Sequence, residues 1–241
     1  WDLLLIALGM SLARPAYAQA CSADEVCPGG PNPCLIAAPI QLGAGCTLDF
    51  GAGAVEITAT GGLELLGFLQ IAAGSLTTAP GSLVDGLGDL DLDVVDCDLQ
   101  GTVRLPEASL AIVASGSISV TGEPDVSAQD GGGLSLDAGG DVLVDGLLDA
   151  SGVDERGGDL SIYAAGAADL TGILRVDGTE DAGEIFVQTA AVLEDRRRGM
   201  VATYSSLPVR NCWSPMYRRV AGRPTARVDP AEPSPCRPAA T

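Results

Sequence analysis

Asp89, Asp91 and Asp93 alternate with Leu90, Leu92 and Val94. On a strand that spacing puts all three carboxylates on one face. Asp85, Asp96 and Asp98 lie close by in sequence. Hard oxygen ligands gathered in this way suit Ca²⁺, so the run is a candidate calcium site. The competing reading is a solvated outer face. Seven cysteines offer a second kind of chemistry, at positions 21, 27, 34, 46, 97, 212 and 236. Cys21, Cys27, Cys34 and Cys46 are expected to form two disulfides, in any of three connectivities. Their spacing, C-x5-C-x6-C-x11-C, lacks the close pair of a zinc knuckle.

Other chemistry is excluded by composition. Of 241 residues, 13 are basic and all of these are arginine; histidine is absent. Schiff-base and P-loop chemistry need lysine. Ser-His-Asp and Cys-His systems need imidazole. Residues 196 to 241 hold nine arginines against Asp229 and Glu232, a net of +7. The remaining 195 residues hold four arginines against 30 carboxylates, a net of −26. Such a body is unsuited to nucleic acid, whose phosphates require cationic partners.

The front of the chain reads as an export signal. Residues 3 to 13, LLLIALGMSLA, are apolar and too short to span a bilayer. Ala16-x-Ala18 and Ala18-x-Ala20 both fit cleavage by a signal peptidase. Residues 1 to 20 are therefore expected to be a signal peptide, with no transmembrane segment in the mature chain. The chain opens on Trp1 with no basic segment ahead of the apolar run, which reads as a lost start. Export implies an oxidising compartment, consistent with disulfides. Cys21 directly follows the second cleavage site, so lipidation there is the alternative. Ala18 stands where a lipoprotein signal usually carries Leu, and Cys27, Cys34, Cys46 and Cys97 would then form the even set.

Internal repetition defines the elements that hold these groups. Leu110–Gly122, Leu134–Gly146, Leu160–Gly172 and the segment from Ile185 superimpose at offsets of 24, 26 and 25 residues. Within each unit apolar residues alternate, as at 110, 112, 114 and then 118 and 120. Period two means a strand with one buried face. A third short strand follows in each unit, at Pro124–Val126, Leu148–Ala150 and Leu174–Val176. Three short strands at a nearly fixed period predict a parallel β-solenoid, in which neighbouring coils supply backbone partners.

Residues 46 to 108 fit the same scheme less regularly, as two or three coils with shorter arms. The expected fold is all-β: a right-handed parallel β-helix over 46 to 195, of about six coils. A Cys-rich, disulfide-stapled cap over 21 to 45 closes its front. The expected inward set is Leu110, Ile112, Ile118, Val120, Leu134, Leu136, Val142, Val144, Leu160, Ile162, Leu170, Ile185 and Val187.

Stacking in register creates outward columns. Asp125, Asp149 and Arg175 share one, where Arg175 neutralises Asp149 of the coil below. Asp137 and Tyr163 share another, with Phe186 diagonal one coil on. Exposed rings stack on sugars, so Asp137, Tyr163 and Phe186 form a candidate glycan-contact patch. Paired carboxylates also raise glycoside hydrolysis, but the carboxylates fall in different columns and few rings or basic groups accompany them.

Cys46-Thr-Leu-Asp-Phe-Gly51, followed by coils of the type G-G-x-L-x-L-x-A-G-G-x-V-x-V-x-G-x-L-D-A-S-G, resembles secreted bacterial right-handed β-helix proteins of the haemagglutinin-like surface type. The likeness covers residues 46 to 195. It implies surface display, adhesion or a passive stalk on a bacterium, with an extracellular glycan or surface protein as partner. It carries no fixed catalytic residues and no cofactor. Beyond Arg196 the alternation stops, and prolines and arginines dominate. Residues 196 to 241 are expected to form a disordered basic, Pro-rich tail, or to be the product of a frameshift.

Overall fold

The computed structural model describes residues 20–154 and 156–190, with the short pairs Glu194–Asp195 and Met200–Val201. It is a parallel β-solenoid. A short helix, α1 (Ala23–Val26), precedes the strands, capped by the Ser22 hydroxyl, which accepts from the Glu25 N–H. The first coil consists of β1 (Cys34–Ile36) and β2 (Pro39–Leu42). The second comprises β3 (Cys46–Asp49), β4 (Ala54–Ile57) and β5 (Gly62–Leu65). The third is β6 (Leu69–Thr78) with β7 (Leu83–Gly86), and the fourth β8 (Leu90–Leu99) with β9 (Thr102–Arg104).

Three-strand coils then return. The fifth is β10 (Ser109–Ala114), β11 (Ile118–Val120) and β12 (Glu123–Asp125). The sixth is β13 (Gly133–Ala138), β14 (Val142–Val144) and β15 (Leu147–Asp149). The seventh is β16 (Asp159–Ala164), β17 (Ala168–Leu170) and β18 (Ile173–Arg175), and β19 (Glu184–Thr189) opens another. Finally β20 (Glu194–Asp195) and β21 (Met200–Val201) form a two-residue antiparallel pair.

Two ladders run the length of the molecule. One joins β1, β4, β6, β8, β10, β13, β16 and β19; the other is a seven-stranded sheet from β2 to β18. Registers follow the repeat read from sequence: Leu110 faces Leu134, Leu134 faces Leu160, and Leu160 faces Ile185. Inward side chains therefore stack like on like. Leu110, Ile112, Ile118, Val120, Leu134, Leu136, Val142, Val144, Leu160 and Ile162 are all buried. Each contributes roughly 1.5–3 kcal/mol of apolar burial. Leu170, Ile185 and Val187, also expected inside, are only partly buried. They stand in the last coils described, where, among the described residues, β19 has a ladder partner on one side only.

Three expectations need correction. Coiling begins at Cys34, not at residue 46, because β1 and β2 already pair with β4 and β5. Residues 34 to 42, CLIAAPIQL, are almost continuously apolar and lack the alternation of the later repeats, which hid the two strands in a Cys-rich stretch. This raises the coil count from six to about seven. The early coils are shorter, with Leu69 facing Leu90 and Leu90 facing Leu110, but their arms are not all separate. In β6 and β8 the first two arms fuse into continuous strands of 10 residues.

The corner inside each fused strand is a break in alternation. Gly74–Ser75 and Val95–Asp96 both place two successive residues away from the core. At Gly74 the backbone passes so close to Ala52 that a Cβ would strike its carbonyl oxygen. Of the tail, only Met200–Val201 are described, as one strand of that two-residue pair; the rest of the expected disordered tail, and residues 1–19 of the expected signal peptide, lie outside the described residues.

Candidate functional site

The outer faces carry the chemistry, and the ladder fixes which side chains meet. In the third-arm column, Asp85 faces Arg104, Arg104 faces Asp125, Asp125 faces Asp149, and Asp149 faces Arg175. Arg175 Nη1 donates to Asp149 Oδ2 at 3.0 Å, and Arg104 Nε lies 3.7 Å from Asp85 Oδ1. The Asp149 side chain is 12% exposed and that of Arg175 41%. Shielded to that degree, the pair contributes about 1 kcal/mol, the upper end for surface ion pairs. It lies where the sequence placed it.

Six aspartates serve the corners. Asp49, Asp125 and Asp149 each accept the backbone N–H two residues on, from Gly51, Ser127 and Ser151. Asp89, Asp96 and Asp141 accept from the next coil, at Ser109, Ser117 and Ala167. A charged acceptor on a backbone donor is among the stronger hydrogen bonds. Sequence reading missed this role. The recurring Asp-x-Ser of 125–127 and 149–151 was the available signal, since Asp closes such turns with its own side chain.

The candidate calcium triad is placed differently from a metal cage. Asp91 and Asp93 sit on β8 in separate outward columns, while Asp89 lies just before the strand and is held by the Ser109 N–H. Burial first, and the nearby Asp89 charge second, hold the Asp91 carboxyl above its ordinary range. Among the described residues no group of three or more Asp, Glu, Cys or His is placed to hold a metal ion.

The candidate glycan patch is assembled as a block. Asp137 faces Tyr163, and Tyr163 faces Gln188, along one outward column. Ser135, Ser161 and Phe186 form the adjoining column in the same three coils. The Tyr163 and Phe186 ring centroids are 5.3 Å apart at 44°, within the range of favourable tilted aromatic pairs. Tyr163 is 39% exposed and Phe186 partly buried. The Ser161 and Ser135 hydroxyls are bonded at 3.1 Å.

Two depressions lie elsewhere on the described surface. One, of about 270 Å³, runs over Ser75, Thr77, Asp96, Asp98, Ser117 and Ser119. The other, of about 210 Å³, lies beside the cap and joins Asp24 and Asp49 to Phe50. There Asp49 is engaged by Gly51 and Asn32 by Ala54, so both side chains also hold backbone. Neither depression includes Asp137, Tyr163 or Phe186.

All four front cysteines are bonded, as Cys21–Cys46 and Cys27–Cys34. Ala20 bridges to Leu42, and Ala20, Val26 and Cys27 are buried against the first coils. The Cys21 N–H donates to the exposed Glu25 carboxylate; this bond first, and the Ser22 hydroxyl second, lower its pKa. Cys97 is a free thiol within the core, and burial, aided by Asp98, pushes its pKa up to about 12. No family model, curated protein or solved structure matches the chain.

Proposed function

We propose that the chain is an exported, non-enzymatic surface protein of a bacterium, a structural solenoid whose outer face makes adhesive contacts. The observation that carries this reading is the pair of disulfides at the front of the coil stack. They follow directly on an apolar segment and two Ala-x-Ala sites, and disulfides belong to oxidising compartments. The use of so many aspartates to hold corners supports a structural role for the acidic face.

The test is processing and redox state in a bacterial host. Envelope-fractionated protein should begin at Gln19 or Cys21, the residues that follow the two Ala-x-Ala sites. It should resist thiol alkylation at Cys21, Cys27, Cys34 and Cys46. A lipid-modified Cys21 would instead select the lipoprotein form. Cytoplasmic protein with an intact front and four reactive thiols would overturn the proposal. A carbohydrate-active enzyme is the second reading, favoured by the depression that joins Asp24, Asp49 and Phe50. Release of reducing sugar from polysaccharide by the purified chain would replace the first reading with the second.

A further inference from the structure

We infer that the outer face of β13, β16 and β19 is a binding platform for a neutral saccharide chain. The inference rests on the adhesive surface reading and names the partner of that surface. Two rings form its centre, Tyr163 and Phe186, in contact at 5.3 Å on successive coils. The C–H face of a sugar is apolar and stacks on an aromatic ring; the two rings are inclined by 44°, so each meets a different sugar unit, while the rim of hydroxyls needs hydrogen-bonding groups alongside. Both kinds of group are present. Along the column, Tyr163 is flanked by Asp137 on one side and Gln188 on the other. Asp137 and Gln188 are exposed. The carboxylate accepts from sugar hydroxyls, and the carboxamide both donates and accepts. Beside them the Ser135 and Ser161 hydroxyls add a second polar row.

Spacing and charge narrow the ligand. Successive rungs stand ~4.8 Å apart, close to the length of one sugar unit in an extended chain, so an oligosaccharide along the coil axis meets one rung per unit. The 195-residue body carries a net of −26. Its field repels uronic or sulfated polymers. The ligand class is therefore a neutral polysaccharide, not an acidic one.

The test is affinity electrophoresis of the purified, oxidised chain through gels containing starch, galactomannan, xylan or hydroxyethylcellulose, with alginate as the acidic control. At least one neutral polymer should retard the chain, and alginate should not. Replacing both rings, Tyr163→Ala with Phe186→Ala, should weaken binding by ~10-fold or more, the equivalent of losing two stacking contacts. Asp137→Asn and Gln188→Ala should each weaken it less. Tyr163→Phe and Phe186→Tyr keep the rings and should retain binding, which separates loss of the platform from loss of fold. Retardation by no neutral polymer, or retardation that survives loss of both rings, overturns the inference. Either result leaves export and disulfide formation untouched, so the surface reading stands or falls separately.

Discussion

The two ends of the described solenoid are built differently. At the front, Leu42, Cys46 and Leu48 are 0–1% exposed, beneath a short segment containing Ala20, Val26 and Cys27 and tied by two disulfides. At the far end, Leu170, Leu174, Val176, Ile185 and Val187 point the same way yet are only partly buried. The side chains are of the same types. Among the described residues, what differs is the neighbour. A coil is a poor hydrophobic core by itself, and its burial is completed by what lies on either side. Stability should accordingly vary along the axis.

The largest expected effect compares the middle with the far end. Leu136→Ala removes a side chain with no exposure at all, and should cost about 2–5 kcal/mol. Leu170→Ala, at a partly buried site, should cost well under half as much. Urea unfolding of the two variants measures both; equal losses would remove the distinction between the ends.

The front depends on its covalent tie. Cys21 and Cys46 are separated by 25 residues, and loop-closure entropy for such a span gives about 3.5 kcal/mol. The paired replacement Cys21→Ala with Cys46→Ala should lower stability by an amount of that order. It should loosen β2 and β3 before β16. Loss of protection at the far end first would show that the cap does not govern the front.

Cys97 sharpens the comparison from inside. Its thiol titrates at about 12 in the fold, against 9.0 in the open chain. Between those values the unfolded chain has lost the proton that the folded one keeps. Stability from this group is thus complete below pH 9.0 and falls as the pH rises toward about 12. Cys97→Ala should flatten that alkaline slope. The native thiol should react with iodoacetamide only as fast as the centre of the solenoid opens. Rapid labelling at neutral pH without denaturant would contradict its placement in the core.

The smallest effect is electrostatic. Arg175→Ala should cost about 1 kcal/mol through Asp149, while Arg104→Ala, whose partner is 3.7 Å away and half exposed, should cost less. Thermal unfolding at low and high salt separates them: the Arg104 effect should vanish first.

The solenoid was legible because its signal is repeated. Alternation at 110–120, 134–144 and 160–170 gave strand identity, inward set and register together, and the Asp149–Arg175 and Asp137–Tyr163 columns followed from register alone. Legibility failed where repetition failed. The first coil has its apolar residues among Cys34, Pro39 and Gln41, so it looked like cap. In β6 and β8 the separate turn between the arms of the later repeats is absent, and a single pair of successive outward residues bends the chain instead. Alternation scores treat such a pair as noise. The aspartates illustrate a different gap. The Asp-x-Ser turns had a local signal, but Asp89, Asp96 and Asp141 bond backbone N–H groups of the next coil, at Ser109, Ser117 and Ala167, and no local side-chain pattern displays a donor a whole coil away.

Native-state hydrogen exchange read by mass spectrometry addresses the stacked architecture and its unequal ends in one measurement. Protection should be highest across β6, β8, β10 and β13, remain high in β3 and β4 while the disulfides are intact, and decline through β17 and β18 to β19. Uniform protection along the chain, or a far end as slow to exchange as β6, would contradict a solenoid whose coils depend on their neighbours for burial.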